Sequence, residues 1–257
     1  MNRINYLFHN KNKDLLSIYV TAGFPKLEDT LPVLEAIQEG GADLIEIGLP
    51  YSDPIADGPT IQESNAIALE NGMSIKKLFS QLRGFRAKIH VPVILMGYLN
   101  PIIQFGVEEF CKKCKEIGID GLILPDLPMS HYLEEYKEIF ERYGLFNIFL
   151  ISPQTSEARI REIDRYSQGF IYMVSSHAIT GAKSAISEEQ EQYFERIAAM
   201  NLNHPRLIGF GISDAATFQL ASRYSNGAIM GSAFIKKIKD SKELKQDIKN
   251  FLSEVRG

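Results

Sequence analysis

The chain has 257 residues, of which 45% are hydrophobic and 23% charged, and its 28 Lys and Arg nearly balance its 32 Asp and Glu. This composition is typical of a globular protein with a large core and argues against a binder of nucleic acid or membrane surfaces. Two cysteines are too few for a disulfide framework, and the sequence has neither a signal-peptide layout nor a run of roughly 20 apolar residues, so we expect a cytoplasmic protein.

Short apolar runs rich in β-branched residues alternate along the chain with longer segments of helical periodicity. The eight predicted strands cover residues 15–21, 43–49, 91–98, 120–124, 146–151, 169–175, 206–211 and 227–231. The predicted helices cover residues 28–39, 61–70, 74–88, 107–117, 130–143, 156–166, 188–200, 214–224 and 232–255. Because no linker or low-complexity tract interrupts this alternation, we predict an α/β fold with a single domain over residues 1–257, a (β/α)₈ TIM barrel. A doubly wound sheet is the alternative.

Two of the strand-helix units are longer than the others. The second unit holds a proline-rich loop at 50–59 and two helical pieces, and the sixth holds a loop at 176–187 that is rich in Ser, Ala, Thr and Gly. Since the loops after the strands build the working face of barrel enzymes, we expect functional insertions after strands 2 and 6. The alternative is a tolerated surface insertion, which is equally favoured for 176–187 and less favoured for 50–59.

Glycines close the last two predicted strands and also lie in the loop after the sixth strand. They are Gly211, Gly231 and Gly181, and Ser213 and Ser232 stand close to two of them. Barrel enzymes often bind phosphate with these loops, because glycine lets backbone N–H groups approach the anion and a helix N-terminus attracts it. Each glycine alone indicates only a tight turn. Together they predict a phosphate site.

The second predicted strand carries a carboxylate, Glu46, in an otherwise apolar run. Alternation of side chains places Leu44, Glu46 and Gly48 on one face of this strand. If Ile45 and Ile47 on the other face pack against helices, Glu46 points into the barrel. Burial there would raise its pKa and suit it to acid-base catalysis near neutral pH. The alternative is a buried glutamate with a purely structural hydrogen bond.

Two aspartates follow Glu46 in the proline-rich loop. We expect Asp57 to remain ionised and to accept a hydrogen bond from an N–H or hydroxyl group of a substrate. Asp53 precedes Pro54, and no specific chemistry follows from its position alone. Both aspartates are also common turn formers, and for Asp53 the turn and the functional role are equally favoured.

The segment from Glu46 to Gln62, with the sequence EIGLPYSDPIADGPTIQ, resembles the signature of the tryptophan synthase alpha subunit. Further similarity covers nearly the whole chain, at 19–23, 124–128, 151–153, 172–181, 209–213 and 231–233. The resemblance implies a lyase that splits indole-3-glycerol phosphate into indole and glyceraldehyde 3-phosphate, with no cofactor or metal in this chain. It also implies a partner, a beta subunit with pyridoxal phosphate that receives the indole in an alpha2beta2 assembly.

The resemblance further implies roles for individual residues. Glu46 would protonate the indole ring carbon and help to deprotonate the glycerol hydroxyl, Asp57 would hold the indole N–H, and Tyr172 would position the glutamate. The remaining implied positions are Gly181, Gly211, Gly231 and Ser232 at the phosphate, Tyr19, Ile151 and Phe210 along the indole pocket, Thr180 in the lid, and Asp53, Pro54 and Asn100 at the beta subunit.

Two functions from different classes fit these residues. One is an active lyase, and the other is a weakly catalytic subunit that mainly activates a beta subunit in response to ligand. The presence of both Glu46 and Asp57 favours the lyase. A sugar-phosphate epimerase would need metal ligands or a different carboxylate pattern. Cys111 and Cys114 have the spacing of a redox or metal motif, but without a second Cys/His pair they are better explained as ordinary helix residues.

Overall fold

The computed structural model describes residues 1–175, 187–209 and 211–257. The described strand segments are β1 Leu15–Thr21, β2 Leu44–Gly48, β3 Val93–Met96, β4 Gly121–Ile123, β5 Phe146–Asn147, β6 Leu150–Ile151, β7 Ile171–Val174, β8 Arg206–Gly209 and β9 Gly227–Met230. They are parallel and form one sheet in the neighbour order β5-β4-β3-β2-β1-β9-β8-β7-β6.

Helices follow nearly every strand within the described ranges. They are α1 Arg3–Asn10, α2 Thr30–Glu39, α3 Pro59–Glu70, α4 Ile75–Gln81, α5 Leu99–Phe105, α6 Val107–Ile117, α7 Met129–His131, α8 Lys137–Tyr143, α9 Glu157–Tyr166, α10 Glu188–Ala199, α11 Ala215–Tyr224, α12 Ser232–Lys239 and α13 Leu244–Arg256. Short 3₁₀ turns lie at Leu27–Asp29 and Phe85–Ala87, and a π-helical turn at Tyr132–Tyr136 joins α7 to α8. None of the helices in the described part of the chain is long and apolar enough to cross a membrane.

The two ends of the sheet, β5 and β6, are separated by only two residues. Ile148 donates its N–H to the carbonyl of Leu122 in β4, and Tyr172 in β7 donates its N–H to the carbonyl of Phe149, both at 2.9 Å. β5 and β6 are therefore two halves of one barrel strand, bonded to β4 on one side and to β7 on the other. The sheet closes on itself, which confirms the predicted (β/α)₈ barrel, although the fifth predicted strand is divided.

The two faces of the sheet carry separate apolar clusters. On β2, Ile45 and Ile47 belong to the outer cluster, which is shared with the helices, whereas Leu44 belongs to the cluster inside the barrel. This is the alternation that the sequence predicts. The inward direction of the intervening residue Glu46 follows from it.

Helix α1 closes the amino end of the barrel. Its Ile4 is fully buried within the inner cluster, and a Cβ added at Gly121 or Gly169 would lie 3.3 or 3.1 Å from the Ile4 side chain. Asn2 caps the helix by accepting the N–H of Ile4, and its amide donates to the carbonyl of Asp120 at 2.8 Å. The N-terminal segment is thus a plug for the barrel, which the sequence did not predict.

Three other helical segments differ from the predictions. α5 was not predicted, and the helix predicted at 74–88 ends at Gln81, because Gly84 adopts a left-handed conformation with φ of 72°. The helix predicted at 232–255 is interrupted at 240–243, where four polar residues offer the core no apolar side chain. Ser241 donates to Asp247 at 2.6 Å across this break.

Candidate active site

Glu46 is the middle residue of β2 and is fully buried. Its Oε1 accepts a hydrogen bond from Ser17 Oγ on β1 at 2.8 Å, while its Oε2 has no hydrogen-bond partner among the described residues. Burial raises the pKa of Glu46 to about 7, and the Ser17 hydrogen bond opposes this rise. The raised pKa was predicted. Ser17 was missed, because a serine within a strand carries no distinguishing sequence signal.

Two tyrosines lie near Glu46 on the inner face of the sheet. Tyr19 is the residue opposite Glu46 in the ladder between β1 and β2, and Tyr172 is a buried residue of β7. Burial raises the pKa of both phenols, and the charge of Glu46 adds to the rise. A Cβ at Gly48 would overlap the Tyr19 hydroxyl, and one at Gly209 would overlap the Tyr172 hydroxyl. The two glycines therefore make room for the two phenols.

Asp57 stands in the loop between β2 and α3, where two side chains hold it. Tyr98 Oη donates to Asp57 Oδ2 and accepts the N–H of Ala56, both at 3.1 Å. Gln62 Nε2 donates to the carbonyl oxygen of Asp57 at 3.0 Å. Burial raises the pKa of Asp57 to about 6, and the Tyr98 hydrogen bond opposes the rise. Asp57 is thus mainly ionised at neutral pH, as expected, although its partner Tyr98 was not predicted.

A small recess lies at the carboxyl ends of the first strands. It is lined by Tyr19, Leu49, Asp57, Asn65, Met96, Gly97, Tyr98 and Pro125. The lining is aromatic and apolar apart from an amide and one carboxylate. Among the described residues, Asp57 is thus the only carboxylate that lines this recess, and it can accept a hydrogen bond from a donor that enters there.

The predicted phosphate residues lie after β8 and β9, which are neighbours in the sheet. Gly211 adopts a left-handed conformation with φ of 77°, Gly231 caps α12, and Ser232 is the first residue of that helix. Since all strands are parallel, these residues lie at the same end of the barrel as Asp57. Gly181 and Thr180, together with the whole loop at 176–186, lie outside the described residues, as does Phe210.

Ile151 does not have the orientation that the predicted indole pocket needs. It belongs to the outer apolar cluster, whereas the preceding residue, Leu150, packs against the inner one. Side chains alternate along a strand, so Leu150 takes the inward position predicted for Ile151.

The residues predicted to meet a beta subunit differ in exposure. Asp53 and Asn100 are exposed, but Pro54 is buried within this chain. The large apolar side chain that the loop exposes is Ile55, at 81%, and Ile103 on α5 is 50% exposed. An isoleucine between Pro54 and Ala56 in a loop was the available sequence signal for this surface.

No metal or redox centre is formed by the described residues. They contain no group of three or more His, Cys, Asp or Glu side chains that could hold a metal ion. Cys111 and Cys114 are buried free thiols in α6. Burial raises the pKa of Cys111 to about 12 and that of Cys114 well above its usual value, which favours the neutral thiols of core residues.

A sequence model described as tryptophan synthase alpha chain matches residues 7–256. The chain belongs to the tryptophan synthase alpha chain family. It is 56% identical over 256 residues to the tryptophan synthase alpha chain of Flavobacterium johnsoniae, with 100% of both chains covered. It is 52% identical to the tryptophan synthase alpha chain of Bacteroides thetaiotaomicron, with 95% of both chains covered.

Solved structures of the family share the fold. The crystal structure of tryptophan synthase subunit alpha from Legionella pneumophila matches with a TM-score of 0.90 and 34% identity, over 100% of this chain and 97% of that chain. A crystal structure of tryptophan synthase from M. tuberculosis, in its aminoacrylate-bound form, matches with a TM-score of 0.86 and 25% identity, over 100% of this chain and 98% of that chain. The resemblance drawn from the motif at 46–62 to the tryptophan synthase alpha family is therefore confirmed.

Proposed function

We propose that this alpha chain is a carbon–carbon lyase that cleaves indole-3-glycerol phosphate to indole and glyceraldehyde 3-phosphate in tryptophan biosynthesis. The observation that carries the proposal is the pair of carboxyl groups with raised pKa values, Glu46 inside the barrel and Asp57 in the loop above it. A carboxyl group with a pKa of about 7 can both give and take a proton near neutral pH. The family assignment supports the same reaction.

Glu46 would perform both proton transfers of a retro-aldol cleavage. In the first step its carboxyl group protonates the ring carbon that bears the glycerol chain, which makes the ring a cationic indolenine. In the second step the resulting carboxylate takes the proton of the adjacent glycerol hydroxyl. An aldehyde then forms, the carbon–carbon bond breaks, and its electron pair returns to the ring to restore aromatic indole.

Asp57 would stabilise the intermediate of this reaction. Its carboxylate accepts the N–H of the indole, and it offsets the positive charge that ring protonation places on the nitrogen. The hydroxyl of Tyr98 keeps the carboxylate in place. We assign to Tyr172 the positioning of Glu46, because its buried phenol belongs to the cluster inside the barrel, into which Glu46 also points.

The remaining substrate contacts extend this proposal around the rim of the barrel. Backbone N–H groups near Gly211 and Gly231, with the hydroxyl of Ser232 at the start of α12, would bind the phosphate. Tyr19 and the inward Leu150 would pack against the indole. Gly181 at the phosphate, Thr180 in the lid and Phe210 at the indole complete the proposed set.

A beta subunit is the proposed partner, in an alpha2beta2 assembly in which pyridoxal phosphate belongs to the beta chain alone. The exposed side chains of Ile55 and Ile103, with Asp53 and Asn100 beside them in sequence, support such a contact. An exposed apolar surface with polar residues around it is typical of an interface. The two segments are tied together, since Tyr98 precedes α5 and bonds to Ala56.

Product analysis tests the proposed reaction directly. The purified chain is incubated with indole-3-glycerol phosphate, alone and with the beta subunit of the same organism, and indole and triose phosphate are quantified together. We expect equal amounts of both products, and at least about a hundredfold less from Asp57→Asn. If neither condition yields indole, but the chain still raises the activity of the beta subunit when substrate is added, the chain is an activator and not a lyase.

A further inference from the structure

Ser17 brings a hydroxyl group to the buried carboxyl group of Glu46. It lies on the inner face of β1, is fully buried, and has Leu44 and Ile229 as its ladder neighbours on β2 and β9. A hydroxyl group is unfavourable among apolar side chains unless it is hydrogen-bonded. Its 2.8 Å bond to Glu46 Oε1 supplies that partner.

The register of the sheet shows from which side Ser17 holds the carboxyl group. Tyr19 is opposite Glu46 in the ladder, and Ser17 is opposite Leu44, two residues nearer the amino end of β2. Oε1 is therefore held from the closed end of the barrel. Oε2 is buried and has no hydrogen-bond partner among the described residues, so it is the oxygen left for a further group.

We propose that Ser17 is a positioning residue that holds Oε1 of Glu46 and thereby makes Oε2 the oxygen that carries the transferred proton. This rests on the proposed role of Glu46 in cleavage. A proton on Oε1 would make that oxygen a poorer acceptor and would weaken the Ser17 bond, whereas a proton on Oε2 leaves the bond intact. The hydroxyl of Ser17 thus distinguishes the two oxygens of a carboxyl group that are otherwise equivalent.

The same hydrogen bond lets one carboxyl group act in both directions. Burial alone favours the protonated form of Glu46, which can donate a proton but cannot take one back. The Ser17 bond stabilises the ionised form and opposes the rise caused by burial, and the pKa remains about 7. A group with this pKa is suited to both half-steps.

Substitution of Ser17 tests the proposal with a readout that does not depend on activity. The carboxyl carbon of Glu46 is followed by ¹³C NMR against pH in protein labelled at glutamate, and the Glu46→Gln variant identifies its signal. We expect Ser17→Ala to raise the pKa of Glu46 by about one unit, because a hydrogen bond to the ionised form is lost. Ser17→Thr keeps the hydroxyl, so the pKa of Glu46 in this variant should stay close to the wild-type value. Ser17→Cys has a weak donor of similar volume, and its Glu46 pKa should lie between those of wild type and Ser17→Ala.

Kinetics of the same variants separate positioning from binding. We expect Ser17→Ala to lower kcat at pH 7 by about tenfold while KM changes by less than about twofold, since only the proton-transfer group is displaced. The pKa of Glu46 that is read from the pH profile of kcat should rise by the same amount as the pKa that is measured by ¹³C NMR. An unchanged titration and an unchanged kcat in a folded Ser17→Ala protein would overturn the proposal.

Failure of the proposed function gives a different result. If Glu46→Gln still cleaves the substrate, Glu46 is not the acid-base group, whatever Ser17 does. If Glu46→Gln is inactive and Ser17→Ala behaves as wild type, the role of Glu46 stands and only the role of Ser17 is lost. Circular dichroism of each variant shows that the barrel is intact.

Discussion

Tyr98 holds Asp57 and the backbone of the loop that carries it with a single hydroxyl group. The hydroxyl donates to Asp57 Oδ2 and accepts the N–H of Ala56, both at 3.1 Å, and the ring of Tyr51 packs on Tyr98 with centroids 5.0 Å apart. Tyr98 follows β3, whereas Asp57 follows β2. The carboxylate proposed to hold the indole is therefore placed by the neighbouring unit of the barrel.

Removal of this hydroxyl should change the pH dependence of cleavage. In Tyr98→Phe the pKa of Asp57 rises above about 6, because the bond that favours its ionised form is lost. For a rise of about one unit we expect cleavage to fall by about threefold at pH 6.5 and to change little at pH 8.5, where Asp57 is ionised in both proteins. Tyr6→Phe, on the exposed face of α1, is the control. An equal loss at both pH values would contradict the assignment.

Glu46 should cost stability in a pH-dependent way. Its pKa is raised from 4.5 to about 7 in the folded protein, so above pH 4.5 the unfolded chain releases a proton that the folded chain retains. The free energy of unfolding is therefore lowered progressively between pH 4.5 and 7 and stays lowered above. Glu46→Gln removes this cost but leaves a buried amide group of the glutamine without a partner, which offsets part of the gain in stability. We therefore expect Glu46→Gln to be more stable than wild type by about 1–2 kcal/mol at pH 8.

Urea unfolding at several pH values measures this effect. The stability gain of Glu46→Gln should disappear near pH 4.5, where the glutamate is protonated in the folded state and increasingly in the unfolded state. A gain of the same size at pH 4.5 and pH 8 would show that it arises from packing and not from the charge.

The plug formed by α1 should contribute strongly to stability. Ile4 is fully buried inside the barrel, whereas Tyr6 on the same helix is 62% exposed. We expect Ile4→Ala to lower the free energy of unfolding by about 2–4 kcal/mol, the usual cost of a large-to-small change in a core. Tyr6→Ala should change it by less than about 0.5 kcal/mol. Equal effects of the two substitutions would mean that α1 does not close the barrel.

The exposed loop residue Ile55 should matter for the partner and not for the fold. We expect Ile55→Asp to weaken binding of the beta subunit by about tenfold or more, because it places a charge in an apolar contact. Tyr6→Asp, on α1 at the opposite end of the barrel, should bind as wild type. Calorimetric titration of the beta subunit into each variant measures both. Loss of binding in Tyr6→Asp alone would place the interface at the amino end.

The alternation of strands and helices, and of side chains along each strand, was predictable from the sequence. Side-chain hydrogen bonds between residues distant in sequence were not. Alternation along a parallel strand was enough to place Glu46 inside the barrel. Ser17 and Tyr98 were missed because they lie 29 and 41 residues from the carboxyl groups that they hold. Such pairs are visible only when the register between strands is known.

The other errors have local causes. Along the fifth strand Phe146, Ile148 and Leu150 belong to the inner cluster and Phe149 and Ile151 to the outer one. The alternation therefore continues through the division, and the pocket position taken from the resemblance was one residue too far along the strand. Periodicity alone also joined α12 to α13, because both helices are amphipathic and the break between them is short. The single domain over 1–257 and the loop at 176–187 stay predictions.

The most direct test of the acid-base role of Glu46 compares turnover with binding in Glu46→Gln. Cleavage is measured by indole release at saturating substrate, and affinity is measured with an analogue that lacks the glycerol hydroxyls and therefore cannot be cleaved. We predict that kcat falls by about a thousandfold or more while the dissociation constant of the analogue changes by less than about threefold. A variant that cleaves within about tenfold of wild type, or that fails only because it no longer binds the analogue, would contradict this account.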